Sequence, residues 1–271
     1  MPILWLRVAV AFYGLGLLYA LGALVARRDV SARITLPITG LGAIFHFVSL
    51  AEALVVGSTL APIASGQVPS WLALLLMTFF FGIYAKYRTA SHGTVIFPLV
   101  FLLTLSAALA AEPPQFSSPV MRSGWIYTHI ALIFVGYAAL LVSFASSILY
   151  LLQERSLKHK QVEGLLARLP ALAVMDDIGL RSLILGFPFM TLGLIAGSVI
   201  AQEAFGAIFF RDPKVGLSLL MWAVYMLLLF TRWSAGWRGR RAAVLSAVAF
   251  VSATLAWAAT YVGTMHRLVE Q

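Results

Sequence analysis

Residues 186–241 have the sequence GFPFMTLGLIAGSVIAQEAFGAIFFRDPKVGLSLLMWAVYMLLLFTRWSAGWRGRR, and this stretch decides the fold of the chain. It contains two long apolar segments joined by a short polar loop, Glu203 to Lys214, and it ends in a basic turn. Because an α-helix rises about 1.5 Å per residue, an apolar segment of about 20 residues can cross a bilayer. The stretch therefore predicts two membrane helices that present a shaped loop at one membrane face.

The composition of the whole chain also indicates a membrane protein. Of its 271 residues, 61% are hydrophobic and only 11% are charged, so the chain needs lipid as its solvent. The net charge of +9 comes from residues between apolar segments. It therefore indicates membrane orientation and not nucleic-acid binding. Because the chain has no cysteine, it cannot itself perform thiol–disulfide chemistry, ligate an iron–sulfur cluster or attach haem through thioethers.

Eight apolar stretches are long enough to span a bilayer, and membrane-embedded backbone must satisfy its own hydrogen bonds. We therefore predict an all-α integral membrane protein, a bundle of about eight transmembrane helices in a single domain over residues 1–271. The first span is expected to be retained and not cleaved as a signal peptide. The predicted spans are roughly residues 3–26, 34–57, 69–88, 94–111, 124–152, 182–203, 215–233 and 242–264.

The uneven distribution of lysine and arginine predicts the orientation. Fourteen of these 19 residues fall on one side of the predicted membrane and five on the other. The side with more of them is expected to be cytoplasmic. Both termini and the loop from Glu203 to Lys214 then lie on the outer side, and residues 153–178 form the one sizeable cytoplasmic connector. This connector is either a solvated linker or a short amphipathic helix with Val162, Leu165, Leu166 and Leu169 on one side.

Small residues inside the spans predict close helix packing, since they let backbones approach where lipid provides no hydrophobic drive. Gly193 and Gly197 form a small-xxx-small pair on the sixth span. The other glycines expected to act in this way are Gly14, Gly40, Gly42 and Gly136. No internal repeat is evident, which disfavours an inverted-repeat transporter of small solutes.

Three of the five histidines lie away from the predicted outer face: two in connectors and one inside a span. His92 and His159 are in basic cytoplasmic connectors, where we expect solvated loop residues. His46 is near the middle of the second span, where an ionisable side chain usually faces the bundle interior. It is interpreted either as a neutral histidine bonded to a neighbouring helix, or as a cofactor ligand or part of a proton relay.

The other two histidines are at the predicted outer face. His129 lies one turn into the fifth span, with the small residues Gly136 and Ser143 seven and fourteen positions later. That face should contact other helices and not lipid. His266 follows the last span. Two histidines at one membrane level on different helices could ligate one haem iron through neutral nitrogens, although spacing alone does not show that they meet.

The outer loop combines charged and aromatic side chains. Aromatic residues at a membrane face often form only an interfacial belt. Aromatic rings beside two cations also suit a flat apolar ring that carries carboxylates, such as a porphyrin. The residues concerned are Glu203, Phe205, Phe209, Phe210, Arg211, Asp212 and Lys214.

Several motifs in this order resemble the cytochrome c assembly family of the CcsA/HemX type, most strongly from about residue 124 to 264. The motifs are Trp125 to His129, Gly136-Tyr137-Ala138-Ala139-Leu140-Leu141, Leu185-Gly186-Phe187-Pro188, Thr191-Leu192-Gly193, Ile195-Ala196-Gly197, Glu203-Ala204-Phe205-Gly206, Asp212-Pro213-Lys214, Trp222, Thr231-Arg232 and Gly236 to Ala243. The family-like core extends over about residues 69–264.

The resemblance implies a protein of the bacterial inner (plasma) membrane that handles haem for c-type cytochrome biogenesis. His129 matches the first of the family's two outer-face histidines, and His266 matches the second loosely; both would be axial ligands. Asp212 and Lys214 would order the loop, and Arg211 would offer its charge to a propionate. Such a protein is more an assembly factor than an enzyme. Any thioether formation would need cysteines from apocytochrome c and a second cytochrome c assembly protein as partner.

Two departures from the family pattern favour a second interpretation. Phe209 and Phe210 stand in the loop where the family has tryptophans, and Phe230 stands where many members have a membrane histidine. These features resemble the short HemX/YpjD branch. HemX proteins are associated with tetrapyrrole synthesis, so the alternative is a membrane regulator that acts on glutamyl-tRNA reductase. Its contact with this cytoplasmic enzyme would be made through residues 153–178.

Overall fold

A computed structural model describes residues 2–26, 30–56, 68–110, 124–159, 169–205 and 213–258. Within these ranges all regular secondary structure is helical, and it comprises eight α-helices. The predicted all-α fold is confirmed, since each predicted span coincides with one helix. In chain order the helices are α1 (Pro2–Val25), α2 (Ala32–Val56), α3 (Val68–Tyr87), α4 (Gly93–Leu109), α5 (Gly124–Lys158), α6 (Leu172–Phe205), α7 (Pro213–Ser234) and α8 (Arg240–Ala258).

The helices form a multi-pass membrane bundle. Six of those described, α1 to α3 and α5 to α7, are long and apolar enough to cross a membrane. Helix α4 is apolar but has 17 residues, and α8 has 19 and begins with two arginines. Large apolar side chains face outward, with Leu18 67% and Phe47 63% exposed. Such a surface requires lipid around it. The outer location of the two termini remains a prediction.

Helix α5 is the centre of the bundle. It packs against α3, α6 and α8, and most extensively against α6, while α1–α2 and α7–α8 form two further pairs. The buried face of α5 consists largely of small side chains, and Ala138, Ala139 and Ala145 are all fully buried. Because these side chains are short, the backbones of neighbouring helices can approach closely and gain van der Waals contact that lipid would not provide.

The glycines inside the helices pack largely as predicted. A Cβ atom added at Gly193 would lie 2.7 Å from the side chain of Ile133, and one added at Gly136 would lie 3.2 Å from Met190. The prediction is wrong for Gly40, because no atom of a packing neighbour among the described residues lies within 4 Å of the corresponding position. The other predicted glycines with such close neighbours are Gly14, Gly42 and Gly197.

The predicted connector at 153–178 is wrong at both of its ends. Helix α5 continues to Lys158, and α6 already begins at Leu172. Apolar composition marks only the part of a helix that lies in lipid. A helix can continue into the polar region if its side chains have partners there. Leu169 is buried against Leu149 and Met175. The positions Val162, Leu165 and Leu166 of the predicted amphipathic helix lie outside the described residues.

Polar contacts show which helix ends share a membrane face. Tyr87 at the end of α3 donates a hydrogen bond of 2.6 Å to Asp177, near the start of α6. Arg232 at the end of α7 forms a bidentate ion pair with Asp176, with both N–O distances 3.0 Å. The ends of α3 and α7 and the start of α6 therefore meet at one face. The arginine and lysine distribution predicts that this face is cytoplasmic.

Candidate functional site

His129 lies in the second turn of α5, at the end of the helix opposite to the Asp176–Arg232 pair. The side chain is half-buried, and its Nδ1 is 2.7 Å from the carbonyl oxygen of Gly193 in α6. Because a carbonyl oxygen can only accept a hydrogen bond, Nδ1 must carry the proton and donate it. The ring lone pair is therefore on Nε2 in this tautomer.

Two glycines of α6 shape the space that this imidazole occupies. A Cβ atom at Gly197 would lie 2.8 Å from Cε1 and 2.9 Å from Nδ1 of His129, closer than any side chain tolerates. Gly193, one turn earlier, provides the carbonyl acceptor. The prediction that this side of α5 faces other helices is confirmed, and Gly136 and Ser143 on the same side are buried.

This geometry suits coordination of a metal by His129. Histidine ligands commonly donate their second ring N–H to a backbone carbonyl, which fixes the tautomer and the ring orientation. The described residues contain no group of three or more metal-ligating side chains. In haem the macrocycle supplies the other donor atoms, so one or two protein side chains are enough to complete the coordination of the iron. The donor and its tautomer therefore fit one axial position of a haem iron.

Five further predicted haem contacts, Phe209, Phe210, Arg211, Asp212 and His266, lie outside the described residues. Helix α6 ends at Phe205 and α7 begins at Pro213, so the segment that carries four of these residues joins the end of α6 near His129 to the start of α7. Within the bilayer the two helices are held together by a hydrogen bond of 3.0 Å from Trp222 Nε1 to Thr191 Oγ1.

His46 is fully buried and joins three helices. Its Nδ1 is 3.3 Å from Tyr13 Oη on α1, and its Nε2 is 2.7 Å from Ser70 Oγ on α3. Tyr13 and Ser70 are buried as well. This arrangement favours the interpretation of a neutral histidine bonded to neighbouring helices. Ligation of a cofactor by His46 stays a hypothesis, and it would require one of these two hydrogen bonds to break.

The expectation for His92 is wrong. It is fully buried, and its Nε2 lies 3.0 Å from Ser146 Oγ on α5. His92 immediately precedes α4 in a short connector, and this connector packs against the long central helix. The contact is made at Ser146, in the apolar part of α5, so packing of the connector against this helix removes His92 from water. His159, for which the same solvated environment was expected, is exposed.

The sequence analysis also missed the most buried ion pair of the described ranges. The side chain of Arg232 is 5% exposed and that of Asp176 is 18% exposed. Asp176 additionally accepts a hydrogen bond of 3.4 Å from the backbone N–H of Gly239, between α7 and α8. The available signal was a carboxylate close to the apolar part of α6, together with an arginine at the end of α7. Their sequence separation of 56 residues conceals the contact.

Gly197→Ala should destabilise the bundle, because the new methyl group would collide with the His129 ring. Overpacking of this kind costs about 1–3 kcal/mol in the free energy of unfolding. Thermal unfolding of the detergent-solubilised protein measures it. Gly40→Ala is the matched control, since the space around Gly40 is open and this variant should unfold at or slightly above the wild-type temperature. Equal unfolding temperatures for the two variants would contradict the packing described for His129.

Comparison with known proteins identifies a family model over nearly the whole chain and relatives over 59–70% of it. A family model described as "Cytochrome C assembly protein" matches residues 6–263. "Cytochrome c biogenesis protein CcsA" of Heterosigma akashiwo is 29% identical over 215 residues, which cover 66% of this chain and 67% of that protein. The protein of the same name from Guillardia theta is 29% identical over 216 residues, covering 70% and 72%. That of Chlamydomonas reinhardtii is 34% identical over 165 residues, covering 59% and 45%.

Proposed function

The chain belongs to the cytochrome c assembly protein family, and from this premise we propose that it acts in c-type cytochrome biogenesis by holding haem at the outer ends of α5 and α6. The observation that carries the proposal is the hydrogen bond from His129 Nδ1 to the carbonyl oxygen of Gly193. It places the lone pair on Nε2 and fixes the ring against α6, as a haem ligand requires.

In this proposal His129 and His266 are the two axial ligands. When bound, haem would supply an iron for these two imidazole nitrogens and two propionates for a cation of the loop. Arg211 pairs with a propionate, Asp212 orders the loop between α6 and α7, and Phe209 and Phe210 cover the ring face. His129 is held in place before haem arrives, because Gly193 and Gly197 define its position.

Phe230, near the end of α7, does not provide a further ligand for haem iron. This side chain is 60% exposed on the outward face of α7, and a phenyl ring has no lone pair with which to bind iron. The proposed haem ligands are therefore the two outer-face histidines, and Phe230 is not one of them. We place the protein in the bacterial inner membrane, with that face away from the cytoplasm.

The proposed protein is an assembly factor that works with partners. Covalent attachment of haem to a c-type cytochrome joins haem to cysteine thiols, and this chain has no cysteine. The thiols must therefore come from apocytochrome c. The chain keeps the haem oriented and accessible while an apocytochrome, or a second assembly protein that delivers it, approaches the outer face.

The absorption spectrum of protein purified from haem-replete cells tests the proposal. We expect a Soret band with the α and β bands of low-spin haem after reduction, which is the signature of two axial histidines. A preparation without a Soret band would contradict haem binding. A Soret band with a high-spin spectrum would contradict the second histidine ligand and leave His129 as the single candidate.

A further inference from the structure

We propose that the turn between α7 and α8 binds the phosphate group of an anionic phospholipid from the cytoplasmic leaflet. The turn forms a surface cleft of about 420 Å³, which we call the arginine cleft. The site is distinct from the proposed haem site, because it lies at the opposite ends of the helices. It is lined by Ala235, Gly236, Trp237, Arg238, Arg240 and Arg241.

The backbone of the arginine cleft is held in a defined conformation. The N–H groups of Ala235 and Trp237 both donate to the carbonyl oxygen of Thr231, at 3.2 and 3.1 Å. Gly236 and Gly239 have φ values of 62° and 66°, which side chains with a Cβ rarely adopt. A cleft that is already shaped loses little conformational entropy when a ligand binds.

Gly239 is fixed from two further sides. Its N–H donates to the Asp176 carboxylate at 3.4 Å, and a Cβ atom added to it would lie 2.7 Å from the hydroxyl oxygen of Tyr150 on α5. Asp176 is itself held by its bidentate pair with Arg232. The buried ion pair therefore stabilises the turn, and the Asp176 carboxylate is already bonded to Arg232 and to the Gly239 N–H.

The arginine cleft carries three positive charges. Arg238, Arg240 and Arg241 are exposed, and none of them forms an ion pair with a carboxylate within the described parts of the chain. Arg241 lies over the Trp237 ring, 6.0 Å from its centroid, which limits the directions in which its guanidinium can point. Guanidinium groups bind phosphate oxygens through paired N–H donors. Three of them around one cleft favour an anion with several oxygens.

The surface beside the cleft is apolar and faces lipid. On α8, Val244 and Val248 are 47% and 48% exposed, and they follow Arg241 at helical spacing. On α7, Phe230 and Trp233 are 60% and 70% exposed. A soluble anion would use only the arginines, whereas a phospholipid can place its phosphate in the cleft and its acyl chains along these two stripes. The combination of charge and adjacent apolar surface therefore favours a lipid ligand.

Native mass spectrometry of the full-length protein in detergent micelles tests this proposal. The probes are phosphatidylglycerol and phosphatidylcholine of equal chain length, added at equal concentration. We expect the wild-type protein to retain phosphatidylglycerol preferentially. The variant Arg238→Gln/Arg240→Gln/Arg241→Gln should bind it at least about tenfold more weakly, since each arginine near an anionic lipid contributes to affinity.

A second triple variant controls for general surface charge. Lys86→Gln/Arg88→Gln/Arg155→Gln removes the same charge from exposed positions at the ends of α3 and α5 on the same face. It should bind phosphatidylglycerol like the wild type. Equal losses in the two variants would overturn the proposal, because they would indicate attraction to the face as a whole.

Competition with inorganic phosphate tests whether the cleft binds a phospholipid or a soluble phosphate. Displacement of bound phosphatidylglycerol by low millimolar phosphate would overturn the proposal in favour of a site for free phosphate. Because the three arginines are exposed, the triple variant should unfold at the wild-type temperature. If it does not fold, the single variants Arg240→Gln and Arg241→Gln take its place, and wild-type lipid binding by both of them would count against the cleft.

Discussion

Protein with the substitution His129→Ala should lose at least about nine-tenths of its bound haem, measured as Soret absorbance per mole of purified protein. Alanine removes the proposed iron ligand, and changes confined to the partners of metal ligands already lower metal affinity about 10- to 100-fold. Loss of the hydrogen bond to Gly193 adds a structural cost, but the wild-type space beside Gly197 remains.

Added imidazole separates lost ligation from lost folding. The substitution leaves a vacancy of the size of the ring between α5 and α6, and millimolar imidazole in that vacancy should restore part of the Soret band. His159→Ala is the matched control, because His159 is exposed at the other end of α5, and this variant should keep its haem. His46→Ala tests the alternative ligand. Wild-type haem content in His129→Ala, with loss in His46→Ala, would move the site to the α1–α3 side of the bundle.

A folded His129→Ala protein that keeps its full haem content would refute the proposed axial role of His129. Family membership would be unaffected by that result, because it rests on the match over residues 6–263. His266→Ala is expected to act differently from His129→Ala. If His266 is the second axial ligand, its loss should convert the low-spin spectrum to a high-spin one and leave part of the haem bound.

Asp176→Ala should lower the free energy of unfolding by about 3 kcal/mol, within the range found when one partner of a buried ion pair is removed. The substitution leaves the Arg232 guanidinium, whose side chain is 5% exposed, without its bidentate carboxylate. It also removes the acceptor for the Gly239 N–H. Unfolding by titration with a denaturing detergent measures the change.

Glu154→Ala is the matched control for this ion pair. Glu154 pairs with Lys158 one turn later on α5, and the Lys158 side chain is 59% exposed. Pairs of this kind contribute about 0.3–0.5 kcal/mol. The double variant Asp176→Ala/Arg232→Ala should be less destabilised than the sum of the two single variants, since it leaves no buried charge unpaired. Similar stabilities for Asp176→Ala and Glu154→Ala would show that the pair is not important for the fold.

Asp176 also links stability to the arginine cleft. Its carboxylate connects the start of α6, the end of α7 and the turn before α8. If the turn loses this support, the three exposed arginines that line the cleft are no longer held on one fixed backbone. Weaker retention of phosphatidylglycerol by Asp176→Ala, with all cleft arginines present, would agree with a preshaped site.

The positions of the helices could be predicted because they depend on local composition. Lipid cannot satisfy backbone hydrogen bonds, so each apolar segment of sufficient length must form a helix wherever it lies in the bundle. The sequence also predicted that His129 faces neighbouring helices, because Gly136 and Ser143 follow it at intervals of seven residues and lie on the same side of α5. The predicted helix ends were wrong where helices leave the lipid, as at Lys158 and Leu172. Outside the lipid a helix can contain polar residues, so apolar composition no longer indicates where it ends.

The contacts of the candidate site could not be predicted in the same way. His129 and Gly193 are 64 residues apart, and Asp176 and Arg232 are 56 apart. No local pattern states which residue lies opposite another when two helices pack, because crossing geometry depends on the whole surface of both. The glycine pair on α6 predicted a close approach, but not that an imidazole would occupy the space.

His92 illustrates the same limit for burial. Its neighbours in the chain are those of a basic connector, and they predicted a solvated side chain. It is buried because its connector packs against α5, where Ser146, 54 residues further along the chain, lies 3.0 Å from its Nε2. Local chemistry therefore decided that this is a helical membrane protein, which segments span, and which motifs it shares with its family. Packing between distant helices decided the tautomer of His129, the burial of His92 and the partner of Asp176, because these depend on atoms that only the folded bundle brings together.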